Sequence, residues 1–256
     1  MPDSPKQPSK ADDIDRVFAD ARTEIGKFRF DAAVARVFPD MIRRSVPGYT
    51  LILPMIGVIA SRYAQPNSLC YDLGCSLGGA TLAMRHGINA PGCRIVGIDN
   101  SSDMIERCEH FIALDDAPTP VELKCADIRE TAIENASIVT LNFTLQFVSP
   151  EDRLPLLHRI HEGLRPGGVL VLSEKICFAD TDEQDRQEEL YYDFKRANGY
   201  SELEISQKRT ALERVLIPET IDAHKERLHQ AGFEHVVLWY QCFNFMSLLA
   251  IRSDSP

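Results

Sequence analysis

Between Tyr71 and Met84 the chain reads YDLGCSLGGATLAM, a glycine-rich turn directly behind an apolar run. Gly74 omits a side chain where backbone must pass close to a ligand, and Gly78 and Gly79 open the helix that follows. Two classes of ligand use such a loop. A dinucleotide fold needs glycine at the middle of G-x-G-x-x-G, and here that position is Ser76. Three aspartates point instead to a pocket for S-adenosylmethionine (SAM). Asp72 precedes Gly74 by two. Asp99 ends the second apolar run, where a carboxylate can accept both ribose hydroxyls, and Asp127 follows the third, where one can take an adenine amino group. Any one of them alone is better read as a helix cap or a loop carboxylate; three at successive strand ends are hard to explain that way.

Other reactive side chains carry less. His158 and His161 in HRIHEG share a helix face, but the order HxxHE is not the HExxH of a metal pair, so they read as a solvated face and no metal is expected. Cys75 lies inside the glycine loop and reads as a small residue whose backbone serves the ligand. The seven cysteines are scattered without a CxxC pair, which suggests reduced thiols and a cytoplasmic protein.

The elements that must hold these residues follow from the texture of the chain. The runs SLCYDLG, CRIVGID, VELKCAD, SIVTLNF and GVLVLSE, from 68 to 174, alternate with helical or turn-rich segments, among them GGATLAMRHG, SSDMIERCEHFIAL and EDRLPLLHRIHEGL. That rhythm predicts parallel strands covered on both faces. Residues 11–65 read as helical, with turns at FPD and VPGY. The charged stretch 178–216 predicts further helices around an Asn198-Gly199 turn, and PETIDAHKERLHQAG one more. The last runs, FEHVVLWYQ and CFNFMSLLAIR, are too close for a crossover helix and must pair as an antiparallel hairpin.

Bulk properties bound the partners. The chain has 256 residues, 38 acidic against 28 basic, and a formal charge of -10, with no basic run, so direct nucleic-acid binding is not expected. The longest apolar stretch is broken by Pro54 and is too short for a bilayer. The polar, proline-rich MPDSPKQPSK reads as a disordered tail, not a signal peptide.

The segments VFPDMIRRSVPGY, YDLGCSLGGAT, IDNSSDMIERC, LNFTLQF and DFKRANGYSELEISQKR together resemble the carboxy-S-adenosyl-L-methionine synthase family, from about Phe28 onward. The likeness implies a single α/β domain over 1–256, a Rossmann-like class I methyltransferase sandwich. Its seven-stranded sheet would be mostly parallel with an antiparallel last strand. Around it would lie a tail and N-terminal helix (1–27), a helical cap (28–66) and inserted helices after the fifth strand (178–216). It also implies carboxyl transfer from prephenate to the sulfonium methyl of SAM, giving carboxy-SAM and phenylpyruvate. The product would pass to a tRNA carboxymethyltransferase that modifies wobble uridine, and the chain would form a homodimer. The hydroxide expelled as prephenate aromatises can take the methyl proton, so no protein base is required. Ligand contacts implied by the likeness are Tyr49, Gly74, Cys75, Ser76, Asp99, Asn100, Asp127, Ile128 and Asn142. Arg209 would bind the added carboxylate and is the one catalytic assignment.

Lys208 and Arg209 both lie in ISQKRTALE, but only a guanidinium holds a carboxylate by two parallel bonds. Arg209 could instead be an exposed partner of Glu213 one turn on, and Tyr49 an amphipathic cap on the N-terminal helices. Two other readings stand beside the synthase: an ordinary SAM-dependent methyltransferase, and a carrier that only delivers carboxy-SAM.

Overall fold

The computed structural model describes residues 14–21, 23–213 and 215–253; the tail 1–10 expected to be disordered therefore lies outside the described residues. Seven strands form one sheet in the order β3-β2-β1-β4-β5-β7-β6. The central strands β1 (Leu69–Leu73), β2 (Arg94–Asp99), β4 (Ala136–Asn142) and β5 (Leu164–Lys175) are parallel and buried along most of their length. β7 (Phe245–Ile251) runs antiparallel to both β5 and β6 (His235–Cys242), the expected hairpin. β3 (Val121–Cys125) and β6 are the edges. β3 is not the apolar strand its run suggests: Glu122 and Lys124 are exposed and pair at 3.2 Å, because an edge strand needs charge to block further pairing.

Helices α5 (Pro150–Gly163) and α8 (Ile221–Gln230) cover one face, packing Leu156, Leu157, Ile160 and Leu228 against Val139, Leu141 and Leu172. On the other face α2 (Tyr49–Tyr63) and α3 (Gly79–Gly87) bury Ile52, Ile56 and Met84 against Cys70, Ile95 and Ile138. α4 (Ser102–Leu114) leads from β2 back toward β3, capped by the Ser101 side chain on the Met104 N–H.

Two expectations for the N-terminal region fail. Among the described residues no helix precedes α1 (Ala32–Ser45). Instead the segment is strapped onto α7 (Glu202–Leu212): the Phe28 N–H donates to the Ala211 carbonyl at 3.1 Å, and the Gln207 amide donates to the Phe18 and Asp20 carbonyls at 2.9 Å each. Along it Phe18 stacks on Phe28, which meets Phe30 edge-on. Nor does FPD make a turn. α1 continues through Pro39, because the lost bond to Ala35 is outweighed by burial of Val34, Ala35, Val37 and Met41. VPGY does break the chain, between α1 and α2. Residues 178–216 hold α6 (Thr181–Ala197) and α7, joined at Gly199 in the left-handed region.

These parts meet above the C-terminal strand ends. Buried Lys208 of α7 donates to Ser45 of α1 at 2.8 Å and ion-pairs with Asp15 of the strap at 3.5 Å, while Arg44 lies 4.1 Å from the Tyr200 ring centroid.

Candidate active site

Beneath that roof lies a cavity of about 900 Å³. Its floor is the loop after β1. Gly74 has φ +81°, and a Cβ there would come 2.4 Å from the Thr144 hydroxyl, so only glycine fits. Ser76, where the dinucleotide pattern wants glycine, also sits in the left-handed region at φ +50°. Its N–H is held there by Asp99 Oδ2 at 2.9 Å, and Asp99 Oδ1 accepts from the Ser101 N–H at 2.9 Å. Asp99 thus fixes the loop and still faces the cavity. Burial raises its pKa, opposed by those backbone donors.

The structure gives the other expected residues distinct surroundings. Asp72 is buried beneath the loop, accepting from Thr81 at 2.6 Å and Thr140 at 2.8 Å, and burial raises its pKa. Asn100 and Ile128 line the cavity beside Asp99 and Asp127. Asp127 is already engaged: Arg129 grips it with its Nε at 3.1 Å and an Nη at 2.7 Å, which lowers its pKa, and reaches Asp152 with the other Nη. An adenine amino group would have to share that carboxylate. Arg129 was not anticipated, although its place two residues on in ADIRE puts it within reach.

Asn142, at the end of β4, lines the cavity and has a buried Oδ1 with no hydrogen-bond partner among the described residues. A buried acceptor left open beside a cavity suits a ligand donor. The loop beyond it is pinned by Glu174, fully buried, which accepts the N–H groups of Leu145 at 2.9 Å and Gln146 at 2.8 Å; burial pushes its pKa up to about 8.

Tyr49 begins α2 and leans over α3. A Cβ at Gly79 would lie 2.8 Å from its hydroxyl, so alanine is not as well accommodated there as helix geometry alone suggests. The Cys75 N–H donates to the Ile98 carbonyl at 2.9 Å, and its side chain is buried against Cys108, Ile105 and Leu123. The Cys108 thiol and burial raise its pKa, which leaves no thiolate for nucleophilic attack.

Of the two candidate cations, Lys208 is committed to Asp15 and Ser45. Arg209 lines the rim of its own chain's cavity, 56% exposed and 3.8 Å from Glu213. Two further lysines, Lys175 and Lys195, line the cavity unforeseen. The histidines lie elsewhere: His161 packs edge-on against Phe233 with ring centroids 5.0 Å apart, so it is not part of a solvated face. Among the described residues no cluster of His, Cys, Asp or Glu is arranged to hold a metal.

The arrangement fits SAM: a loop of close-approaching backbone, a carboxylate at the second strand end, and an orphaned acceptor at the fourth. Comparisons with known proteins agree. A methyltransferase domain model matches residues 71–168. Human N-acetylserotonin methyltransferase, solved with SAM, superposes with a TM-score of 0.57 at 15% identity over 87% of this chain and 55% of that one, a likeness of fold: the class I methyltransferase sandwich. Carboxy-S-adenosyl-L-methionine synthase of Marinobacter nauticus is 65% identical over 240 residues, 94% of this chain and 96% of the relative. That of Geobacter metallireducens is 60% identical over 239 residues, 93% and 98% of the two chains. With identity that high across nearly the whole of both chains, this chain belongs to the carboxy-S-adenosyl-L-methionine synthase family.

Proposed function

We propose that this chain moves the carboxyl group of prephenate onto the sulfonium methyl of SAM, giving carboxy-SAM and phenylpyruvate. The observation that supports the reading is one cavity lined by Asp99, Asn142 and Arg209, in a chain 65% identical to a carboxy-SAM synthase. Gly74, Cys75 and Ser76 would meet SAM through backbone. Asp99 would take its ribose, Asp127 and Ile128 its adenine, and Asn142 and Tyr49 its remaining polar groups. Arg209 would pair with the carboxylate that distinguishes product from substrate.

The reaction balances without an external base. Prephenate loses its ring carboxyl as carbon dioxide and its ring hydroxyl as hydroxide. The hydroxide takes one methyl proton to form water, and the methyl carbanion bonds to the carbon dioxide. Such coupling needs the two partners held together in a dry cavity, since free carbon dioxide escapes. Incubated with SAM and prephenate, the protein is expected to form carboxy-SAM and phenylpyruvate in equal amounts, read by chromatography with mass spectrometry. Accumulation of S-adenosylhomocysteine would make it an ordinary methyltransferase, and no turnover with carboxy-SAM retained would make it a carrier.

Carboxy-SAM would then pass in the cytoplasm to a tRNA carboxymethyltransferase; the free cysteines support that compartment. With a formal charge of -10 the chain is expected to leave RNA to that partner. Its mixture with tRNA should give no salt-sensitive complex in filter binding; affinity falling steeply with added salt would refute this. A homodimer is proposed from the family likeness alone; Leu51 and Val58 on α2 and Val237 and Leu238 on the edge strand β6 are exposed apolar side chains that an interface would cover.

A further inference from the structure

Lys175 and Lys195 are the most unusual groups in the cavity. Lys175 ends β5 and Lys195 lies in the last turn of α6, the latter only 4% exposed. Their ammonium groups approach the same ring, Tyr191, at 5.0 and 4.5 Å from its centroid. Tyr191 in turn packs on Phe245, centroids 5.2 Å apart, so the two charges sit on an aromatic wall. Lys208 nearby has Asp15 as its partner. Among the described residues neither Lys175 nor Lys195 has a carboxylate at ion-pair distance; Glu188 acts on Lys175 and Asp15 on Lys195 only through space. Burial lowers the pKa of both, and for Lys195 the neighbouring Lys208, Lys175 and Arg209 charges add to it.

A sequestered ammonium without a counter-ion is costly, and two converging on one cavity repel each other. An arriving carboxylate removes both costs. The aromatic wall beside them suits a flat ring attached to that carboxylate.

Granting the carboxyl-transfer reading above, the donor carries two carboxylates with opposite needs. The one on the ring carbon must leave as carbon dioxide, and an ammonium bound to it would stabilise the anion and oppose its loss. The one on the side chain stays in phenylpyruvate and can be held tightly throughout. We propose that Lys175 and Lys195 together form the subsite for the donor's retained carboxylate, against the Tyr191 ring, while Arg209 meets the other carboxylate only once it has been transferred and belongs to carboxy-SAM. The two anion sites then keep the groups apart and set which carboxyl of the donor is presented to the methyl.

The test uses Lys175→Met and Lys195→Met, which keep the stem's bulk and remove the charge. With SAM present, calorimetric affinity for phenylpyruvate is expected to fall about tenfold or more in each, and the KM for prephenate to rise with it. Carboxy-SAM affinity should hold in both. Thermal stability should hold or rise, since an unpaired buried charge has gone. Unchanged phenylpyruvate affinity in both variants would overturn the assignment. So would an equal loss for carboxy-SAM, which would put the lysines in the sulfonium product's own subsite, or a lower Tm with both ligands weakened together, which would make them structural. A wild-type protein that turns over no prephenate would fail the functional reading itself, a separate result.

Discussion

Asp99→Ala is expected to lose most of its affinity for SAM and for carboxy-SAM alike. A carboxylate on two ribose hydroxyls makes two charge-assisted hydrogen bonds, each worth about 1.5 to 3 kcal/mol before compensation. The carboxylate also holds the Ser76 and Ser101 N–H groups, so its removal frees the left-handed turn at Ser76 as well. Loss of affinity alone would therefore not separate ligand contact from loop support. A cycle with a SAM analogue lacking one ribose hydroxyl does. In wild type, removing the hydroxyl costs affinity because a buried acceptor loses its donor. In Asp99→Ala the same change should cost almost nothing, since the acceptor has gone. Equal penalties in both proteins, by calorimetry, would leave Asp99 as a loop brace only.

What could be read in advance follows a physical divide. The turn at Gly74, the aspartate at the end of β2 and the closing hairpin are local: each depends on residues within one strand and the turn behind it. The roof is not local. The described residues among 14–30 have no helix: Phe18, Asp20 and Phe28 find hydrogen-bond partners in α7, nearly two hundred positions on, and no periodicity in the segment reports that. In α6, TDEQDRQEELYYDFKRA, only Tyr191 and Lys195 are buried, so the sequence shows a charged solvent helix and hides the lysine that turns inward. Gly79 is similar. Whether alanine fits there depends on the Tyr49 hydroxyl, which arrives from another helix. The site residues sited by resemblance, Tyr49, Asn142 and Arg209, all line the one cavity, but their neighbourhoods differ in ways only the packed chain displays.

Arg209→Ala is expected to separate the two sulfonium ligands. Carboxy-SAM carries a carboxylate that SAM lacks, so a guanidinium facing that position contributes to product binding and little to SAM binding. A fully buried pair broken on one side costs about 3 to 5 kcal/mol. Arg209 is 56% exposed, with Glu213 3.8 Å away, so solvent and that carboxylate compensate part of the loss. The expected fall in carboxy-SAM affinity is accordingly about ten- to a hundredfold, the range of a charge-assisted pair, with SAM affinity nearly unchanged. Arg209→Lys restores charge without the planar fork and should recover only part of the gap. Glu213→Gln supplies the opposite control: freed from its neighbour, the guanidinium should bind carboxy-SAM at least as well as before. The quantity that matters is the ratio of the two affinities in each protein, measured by calorimetry. If Arg209→Ala lowers both equally, the arginine serves helix α7 through Glu213, and the carboxylate of the product must be sought at another cation of the cavity.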